Sequence, residues 1–249
     1  MAPAYDAIPV LHKPAISPPS DPAHGAALVF LHGLGDTGQG WEDIPNQFQR
    51  ASKHPHLSWH LPTAPENRDA MQTAWYMPTS LSPPPAGRPE LADEEDVDGL
   101  LATVAYVESL LDSLTSKGVP PERIVLAGFS QGCAVSLLTS LISRKYAGKL
   151  AGTVGLMGYL PIPEEIQGLR AKNELPATVG AIPVFLARGG ADRLIPGSKW
   201  RETVAGLKKL GVDEGTLEIN EYEGLGHLVN GPLLKDLDAW LEKVVPRLE

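Results

Sequence analysis

The sequence predicts an α/β fold in one domain, with a mostly parallel central sheet and helices on both faces. The length of 249 residues suits one large domain. Short runs of mainly apolar residues alternate with longer amphipathic stretches, a pattern typical of strands followed by covering helices. Most of the short runs are apolar almost throughout, as strands buried on both faces must be. No apolar run reaches the roughly 18 residues of a membrane span, so no integral membrane segment is expected.

The predicted elements follow in chain order. The polar, proline-containing residues 1–24 are expected to form an extended segment before the first strand. Apolar runs predict strands at residues 27–31, 57–61, 124–127, 153–157, 183–187 and 217–222. Helical periodicity predicts helices at residues 91–116, 131–146, 198–210 and 231–245. The last helix has one apolar stripe, formed by Leu233, Leu237, Trp240, Leu241 and Val244.

Residues 76–90 contain five prolines, which exclude an interior helix or a central strand. A loop of this length in a compact domain is often a lid or a binding loop, and we predict a lid or a plain surface loop here. Acidic residues from Asp93 to Asp98 follow it. We interpret them as the solvated start of the next helix, where negative side chains meet the positive end of the helix dipole.

Charge, cysteine content and the first residues of the chain predict the partners and the location of the protein. Lys and Arg total 21 and Asp and Glu total 30, which gives a net charge of −9, the wrong sign for binding nucleic acid phosphates. The single cysteine, Cys133, cannot form an intramolecular disulfide and is interpreted as a small buried residue. The first 20 residues lack the basic start and apolar block of a secretion signal. We therefore predict a cytoplasmic protein that does not bind nucleic acid.

Gly128-Phe129-Ser130-Gln131-Gly132 matches G-x-S-x-G between a predicted strand and a predicted helix. In this setting the turn holds its serine at strained backbone angles, so its neighbours must be small for the strand and helix to pass closely. The motif predicts Ser130 as a nucleophile on a tight elbow. A glycine-serine turn without chemistry is the less favoured alternative.

A serine nucleophile needs an imidazole to accept its proton and a carboxylate to orient that imidazole. His227 is the only histidine after Ser130, and it follows the last predicted strand. Asp192 follows the strand at 183–187, so both groups should lie at the carboxyl edge of the sheet. Asp213 is the alternative acid, but it precedes a strand and should lie at the opposite edge. We predict a triad of Ser130, Asp192 and His227.

Acyl transfer also requires hydrogen-bond donors for a developing oxyanion. The amide of Gln131, directly after the nucleophile, is one candidate, and the amide of Leu34 in the glycine-rich segment after the first strand is the other. Residues 33–38 of that segment also match the dinucleotide motif G-x-G-x-x-G. However, residues 52–60 contain no acid that could bind a ribose. The oxyanion role is preferred, and no cofactor is expected.

His54, His56 and His60 have a spacing that could suggest a metal site. No nearby cysteine or carboxylate completes a ligand set, and residues 57–61 are predicted to form a strand. We predict surface histidines here and no metal.

Together, these motifs resemble those of the acyl-protein thioesterase and carboxylesterase family. The likeness extends from about residue 25 to the end of the chain. It is carried by Phe30-Leu31-His32-Gly33-Leu34-Gly35-Asp36-Thr37, by Gly128-Phe129-Ser130-Gln131-Gly132, and by Asp192 and Gly226-His227. Further similar segments are residues 118–124, before the elbow, and residues 158–161.

The resemblance implies a single-domain α/β-hydrolase with a short lid loop and no large cap domain. It implies a serine hydrolase that cleaves acyl thioesters or oxygen esters, including S-acylated proteins and lysophospholipids, without metal or cofactor. We expect a monomer or a weak homodimer. The resemblance assigns the triad and the oxyanion amides as above. It also places four residues near the substrate, at positions that suit ordinary core residues equally well: Trp75, Met77, Leu81 and Tyr159.

The chain departs from the family pattern in two places. Residues 188–193 read Arg-Gly-Gly-Ala-Asp-Arg where the family commonly has His-Gly-Asp-x-Asp-Pro. Residues 75–83 lack the Trp-Phe-Asp-type stretch usual after Met-Pro. Two alternative functions therefore stay open. One is a carboxylesterase for small or aromatic esters, and the other is a non-catalytic module that binds acyl groups or a partner protein in the same groove.

Overall fold

The structure is a computed structural model that describes residues 8–67, 69–78 and 95–248. Its strands are β1 (Leu11–Lys13), β2 (Ala26–Leu31), β3 (Leu57–Leu61), β4 (Glu66–Asn67), β5 (Gln72–Thr73), β6 (Ile124–Phe129), β7 (Gly152–Leu156), β8 (Val184–Gly189) and β9 (Leu217–Tyr222). Its helices are α1 (Asp43–Arg50), α2 (Val97–Thr115), α3 (Gln131–Ile142), α4 (Ile166–Lys172), α5 (Gly197–Lys209) and α6 (Gly231–Val244).

Seven strands form one sheet in the order β1-β3-β2-β6-β7-β8-β9. The six strands from β3 to β9 in this order pair in parallel, and only β1 at the edge is antiparallel. Strands β4 and β5 form a separate small hairpin. The predicted α/β class with a mostly parallel central sheet is thus confirmed.

The sheet separates two apolar layers because successive side chains of a strand point to opposite faces. In β2, Val29 belongs to the apolar layer that includes residues of α2, α3, α4 and α5, whereas Leu28 belongs to the layer that includes residues of α1 and α6. We call these the α2/α3 face and the α1/α6 face. All the chain turns that follow β2, β6, β8 and β9 lie at the carboxyl edge between the two faces.

Each strand and helix predicted from the sequence is present; β3 and β9 have the predicted ends, and the other elements have shifted ends. Helix α3 ends at Ile142, short of the expected residue 146, because Ser143 leaves the helical conformation. Helix α2 begins at Val97, where the carboxylate of Asp96 accepts a hydrogen bond from the amide of Gly99. Residues 91–94 of the predicted helix lie outside the described residues. So do residues 79–90 of the predicted lid, including Leu81, and residues 1–7 of the predicted N-terminal segment.

The elements missed by sequence reasoning are short. Strand β1 lies within the segment expected to be merely extended, and it pairs with β3 over three residues. Helices α1 and α4 have only eight and seven residues, too few for a clear helical period. Among the described helices, none is long and apolar enough to cross a membrane.

The prediction of surface histidines before and within β3 is wrong for two of the three. His54 and His56 are only 5% and 4% exposed. His54 Nε2 lies 2.9 Å from a carboxylate oxygen of Asp238, and His56 Nε2 donates to the carbonyl of Val245 at 2.8 Å. Both partners belong to α6 or its end, almost 200 residues away, so local sequence patterns could not reveal the burial. Half-buried His60 stacks on His12.

Candidate active site

Ser130 occupies the tight turn between β6 and α3 with φ 53° and ψ −115°, a conformation that L-residues rarely adopt. Its amide donates to the carbonyl of Leu156 at 2.8 Å. A Cβ atom at Gly128 would lie 2.1 Å from the carbonyl oxygen of Gly132, and one at Gly132 would lie 2.1 Å from that of Leu31. Both positions therefore require glycine, as the elbow motif predicts.

Asp192 and His227 are directly hydrogen-bonded, with His227 Nδ1 lying 2.8 Å from Asp192 Oδ2. The other oxygen, Oδ1, accepts from the amides of Leu194 at 2.8 Å and Ile195 at 3.0 Å. The chain that follows Asp192 thus supplies the hydrogen bonds to this carboxylate. Although residues 188–193 depart from the family pattern, both carboxylate oxygens of Asp192 take part in hydrogen bonds.

The environment of Asp192 determines its charge. Burial of this 8% exposed residue favours the neutral acid most strongly, but the hydrogen bond from His227, the charge of His227 and the two amides together outweigh burial and lower the pKa. Because folding lowers the pKa of Asp192, its ionised form stabilises the fold above the usual value of about 4. That stabilisation is lost as the pH falls through the lowered pKa.

Two contacts bring His227 to the nucleophile elbow. The amides of Gly190 and Ala191 donate to the carbonyls of Tyr222 and Leu225 at 2.8 and 2.9 Å, which joins the loop carrying the acid to the loop carrying the histidine. In addition, the imidazole of His227 packs edge-on against the ring of Phe129, with centroids 4.8 Å apart. Because Phe129 precedes Ser130, all three predicted triad residues lie at one region of the carboxyl edge.

The alternative acid lies elsewhere. Asp213 caps a short 3-10 turn before β9, where its side chain accepts from the amide of Gly215 at 2.8 Å. The amino end of a parallel strand is at the opposite edge of the sheet from Ser130. This position favours Asp192 as the partner of His227.

The segment after β2 approaches the nucleophile closely. A Cβ atom at Gly33 would lie 3.3 Å from Ser130 Cβ. The next residue is Leu34, whose amide donates to no group in the described part of the chain, whereas the following amide, of Gly35, donates to the carbonyl of Thr73. The amide of Gln131 begins α3 and so has no partner within the helix. These free amides fit the two predicted oxyanion donors.

His32 is a supporting residue that sequence reasoning missed. It is fully buried, its Nε2 accepts from the amide of Ala64 at 2.9 Å, and its Nδ1 donates to the carbonyl of Gly33 at 2.6 Å. Burial is the main cause that lowers the pKa of His32, so the ring stays neutral with its proton on Nδ1. The indole of Trp75 donates to the carbonyl of His32 at 2.8 Å. The ring therefore holds the segment that presents Leu34.

The Gln131 side chain has a second role that the sequence motif did not suggest. Its carbonyl oxygen accepts from the amide of Trp75, and its amide nitrogen donates to the carbonyl of Tyr76, both at 2.8 Å. A carboxylate oxygen of Asp96 accepts from the amide of Met77 at 2.8 Å. Side chains of the elbow and of the start of α2 thus attach residues 75–77 to the site.

Gln131→Ala should separate the side-chain role of this residue from its backbone role. It leaves the Gln131 amide in place but removes the partners of two buried backbone groups, at a cost of about 1–3 kcal/mol each. We expect a melting temperature lower by several degrees. We also expect kcat/KM for an acyl ester to fall about tenfold, because a small displacement of positioning residues is costly.

Gln49→Ala is the matched control for this experiment. The Gln49 side chain also donates to a backbone carbonyl, that of Pro14 at 2.8 Å, but on the exposed surface. The change at Gln49 should alter stability by less than about 0.5 kcal/mol. Equal effects of the two substitutions on kcat/KM would contradict the positioning role of Gln131.

The structure distinguishes among the four residues expected near the substrate. Trp75 is only 1% exposed, and its hydrogen bond to His32 makes it a support behind the site. Tyr159 is also buried, and its hydroxyl lies 3.2 Å from that of Tyr76, a residue not predicted from the sequence. Met77 is half-buried next to them, and Leu81 is outside the described residues. Tyr76, Met77 and Tyr159 are thus the described candidates for acyl contacts.

Cys133 lies in the first turn of α3 and is buried, as the sequence suggests. Burial raises the pKa of its thiol to about 12, so it stays protonated and is a poor nucleophile. Within the described ranges, no cluster of three or more His, Cys, Asp or Glu side chains could hold a metal ion.

A family model described as Phospholipase/Carboxylesterase matches residues 11–245. The chain belongs to this family. The match covers every strand and helix described above, including the Ser130 elbow and the loops of Asp192 and His227. The predicted resemblance to acyl-protein thioesterases and carboxylesterases is thereby confirmed, as is the prediction of a hydrolase of this class.

Individual relatives agree with the phospholipase/carboxylesterase family. Acyl-protein thioesterase 1 of Yarrowia lipolytica is 37% identical over 233 residues, which cover 92% of this chain and 96% of that protein. Acyl-protein thioesterase 1 of Mycosarcoma maydis is 32% identical over 246 residues, with coverage of 95% and 98%. The crystal structure of Arabidopsis thaliana SOBER1 is similar with a TM-score of 0.74 at 27% identity, covering 88% of this chain and 99% of that one. The α/β-hydrolase fold is confirmed.

Proposed function

We propose that this member of the phospholipase/carboxylesterase family is a serine hydrolase that cleaves acyl thioesters or oxygen esters, as an acyl-protein thioesterase does. The observation that carries the proposal is the 2.8 Å hydrogen bond between Asp192 and His227, beside the strained elbow of Ser130. The resemblance to two proteins named acyl-protein thioesterase 1, each over more than nine-tenths of both chains, favours thioesters among the possible substrates.

In the proposed reaction, the hydroxyl oxygen of Ser130 attacks the acyl carbonyl while His227 accepts the hydroxyl proton. Asp192 holds the imidazole with its free nitrogen toward the serine and stabilises the imidazolium that forms. The amides of Leu34 and Gln131 donate to the oxyanion. When the intermediate collapses, the thiol or alcohol leaves with the proton from His227. A water molecule then cleaves the acyl-enzyme by the same steps and releases the acid.

The acyl chain would lie on the α2/α3 face of the elbow. Tyr76 belongs to the apolar layer on this face, and Met77 is half-buried beside it. Burial, as the largest cause, raises the pKa of Tyr76 and of Tyr159, so both phenols stay uncharged. Uncharged aromatic side chains suit an apolar substituent better than a charged one.

A chain-length profile tests this function against its main alternative. The purified protein is assayed with thioesters and oxygen esters whose acyl chains range from about two to about sixteen carbons. We expect kcat/KM to rise up to about tenfold per added methylene before it levels off, because each buried methylene adds transition-state binding. A maximum at the shortest chains would instead identify a carboxylesterase for small esters. Absence of acyl-enzyme formation with every substrate would favour a non-catalytic binding module.

We further propose that the protein acts in the cytoplasm as a monomer or a weak homodimer. The location rests on the single cysteine, which suits a reducing compartment. The weak association rests on the net charge of −9, because like charges repel at low ionic strength. S-acylated proteins are proposed as substrates beside small acyl esters.

A further inference from the structure

A cavity of about 400 Å³ lies alongside His227 on the α1/α6 face of the sheet. Its walls include the imidazole of His227 and the rings of Phe129 and Trp41, together with Ile44 and Leu234. The carboxylates of Asp36 and Asp43 also line the cavity. We call it the leaving-group cavity.

The position of the cavity identifies the part of a substrate that can enter it. The carbonyl attacked by Ser130 carries two substituents, the acyl chain and the leaving group. The candidate acyl contact Tyr76 belongs to the apolar layer of the α2/α3 face, whereas Phe129 belongs to that of the α1/α6 face. His227 gives its proton to the leaving atom, so the leaving group must be next to the imidazole. A cavity walled by His227, on the face opposite the acyl contacts, therefore suits the leaving group.

Apart from His227, the ionisable side chains among the described residues that line the leaving-group cavity are two carboxylates, of Asp36 and Asp43. Asp36 is held in place because its oxygens accept from the amide of Thr37 and from the indole of Trp41, both at 2.8 Å. Asp43 lies exposed in the first turn of α1. No lysine or arginine is among the described residues that line the cavity. Anionic leaving groups are repelled here, and cationic ones are attracted.

The apolar walls restrict the cation further. Ile44, Trp41 and Leu234 offer apolar surface next to the carboxylates. Lysine and arginine side chains combine a long aliphatic stem with a charged head, and they bury the stem while the head meets polar groups. A lysophospholipid fits less well even when its headgroup ends in an ammonium, because its phosphate lies between the ester and that ammonium and would face the same carboxylates.

We propose that the leaving-group cavity binds a lysine or arginine side chain next to the acylated cysteine of a protein substrate. This inference rests on the proposed thioesterase function and names the class of thioester that the site prefers. It assigns Asp43 as a specificity-determining residue, and Asp36 as a second carboxylate fixed beside the oxyanion segment.

The test uses three synthetic peptides that carry the same S-octanoyl cysteine and differ only in the flanking residue, which is lysine, glutamine or glutamate. At low ionic strength we expect kcat/KM for the lysine peptide to exceed that for the glutamate peptide about tenfold. The glutamine peptide should be intermediate. The preference should decrease in about 0.5 M NaCl because salt screens the interaction.

Asp43→Asn and Asp213→Asn form a matched pair of variants, since each removes one carboxylate from an exposed side chain. Asp43→Asn should reduce the ratio of lysine to glutamate rates about threefold, as expected when one surface charge is lost. Asp213→Asn, at the opposite edge of the sheet, should leave the ratio unchanged. Melting curves verify that both variants fold.

Three results would overturn the inference. The first is equal rates for the three peptides, and the second is an equal effect of the two variants on the ratio of lysine to glutamate rates. The third is a preference of the wild type for lysophosphatidylcholine over the lysine peptide, with that preference lost in Asp43→Asn. The last result would assign the cavity to a lipid headgroup. If the folded protein cleaves no acyl ester of any kind, the proposed function itself fails, a different outcome from hydrolysis without charge preference.

Discussion

Ser130→Ala should abolish hydrolysis of acyl esters and thioesters. The substitution removes the proposed nucleophile, and loss of such a group in a serine hydrolase lowers kcat by roughly 10⁴-fold or more. The variant should also lose covalent labelling by a fluorophosphonate, a reagent that reacts with activated serines. Both losses are measured on purified protein, by an aryl-ester assay and by in-gel fluorescence.

Ser136→Ala is the control for the nucleophile. Ser136 lies in helix α3, which directly follows Ser130; it is fully buried, and its hydroxyl has no hydrogen-bond partner among the described residues. Its removal therefore costs no hydrogen bond and should be neutral or slightly stabilising. Labelling and turnover should remain as in the wild type. Turnover by folded Ser130→Ala at a near wild-type rate would refute the assignment of Ser130 and with it the proposed function.

Asp192→Asn should lower kcat roughly 10³- to 10⁴-fold with little change in KM. The ionised carboxylate accepts a hydrogen bond from Nδ1–H of His227 and stabilises the imidazolium that forms. The side-chain amide of asparagine carries no charge to stabilise the imidazolium, and it can favour the wrong tautomer of the imidazole. The amides of Leu194 and Ile195 still find a carbonyl oxygen, so the loop should keep its shape. Steady-state kinetics on the folded variant provide the measurement.

Asp213→Asn should change kcat less than about twofold because surface substitutions outside special sites have small effects. An asparagine at this position can still accept from the amide of Gly215 and cap the turn. A larger loss from Asp213→Asn than from Asp192→Asn would transfer the acid role to Asp213, against the geometry of the site.

The sequence was enough to propose the triad because each of its residues follows a strand that local patterns reveal. Ser130 lies in a glycine-flanked turn, and the two flanking glycines are required by backbone contacts at 2.1 Å. Asp192 and His227 follow β8 and β9, and parallel strands bring the chain that follows them to one edge. Periodicity, strand order and turn chemistry together were therefore sufficient to propose which three side chains meet.

Only the tertiary structure decided the contacts that support and surround this triad. His32 accepts a hydrogen bond from an amide 32 positions away, and the Gln131 side chain bonds residues 55 and 56 positions away. His54 is paired with α6 at a separation of 184. The leaving-group cavity likewise combines residues from the β2 loop, α1, β6 and α6. Local sequence determines secondary structure through backbone sterics and the spacing of apolar side chains. Contacts between residues far apart in the sequence depend instead on how the helices pack on the sheet. That packing set the charge beside His227 and the support behind the oxyanion amides.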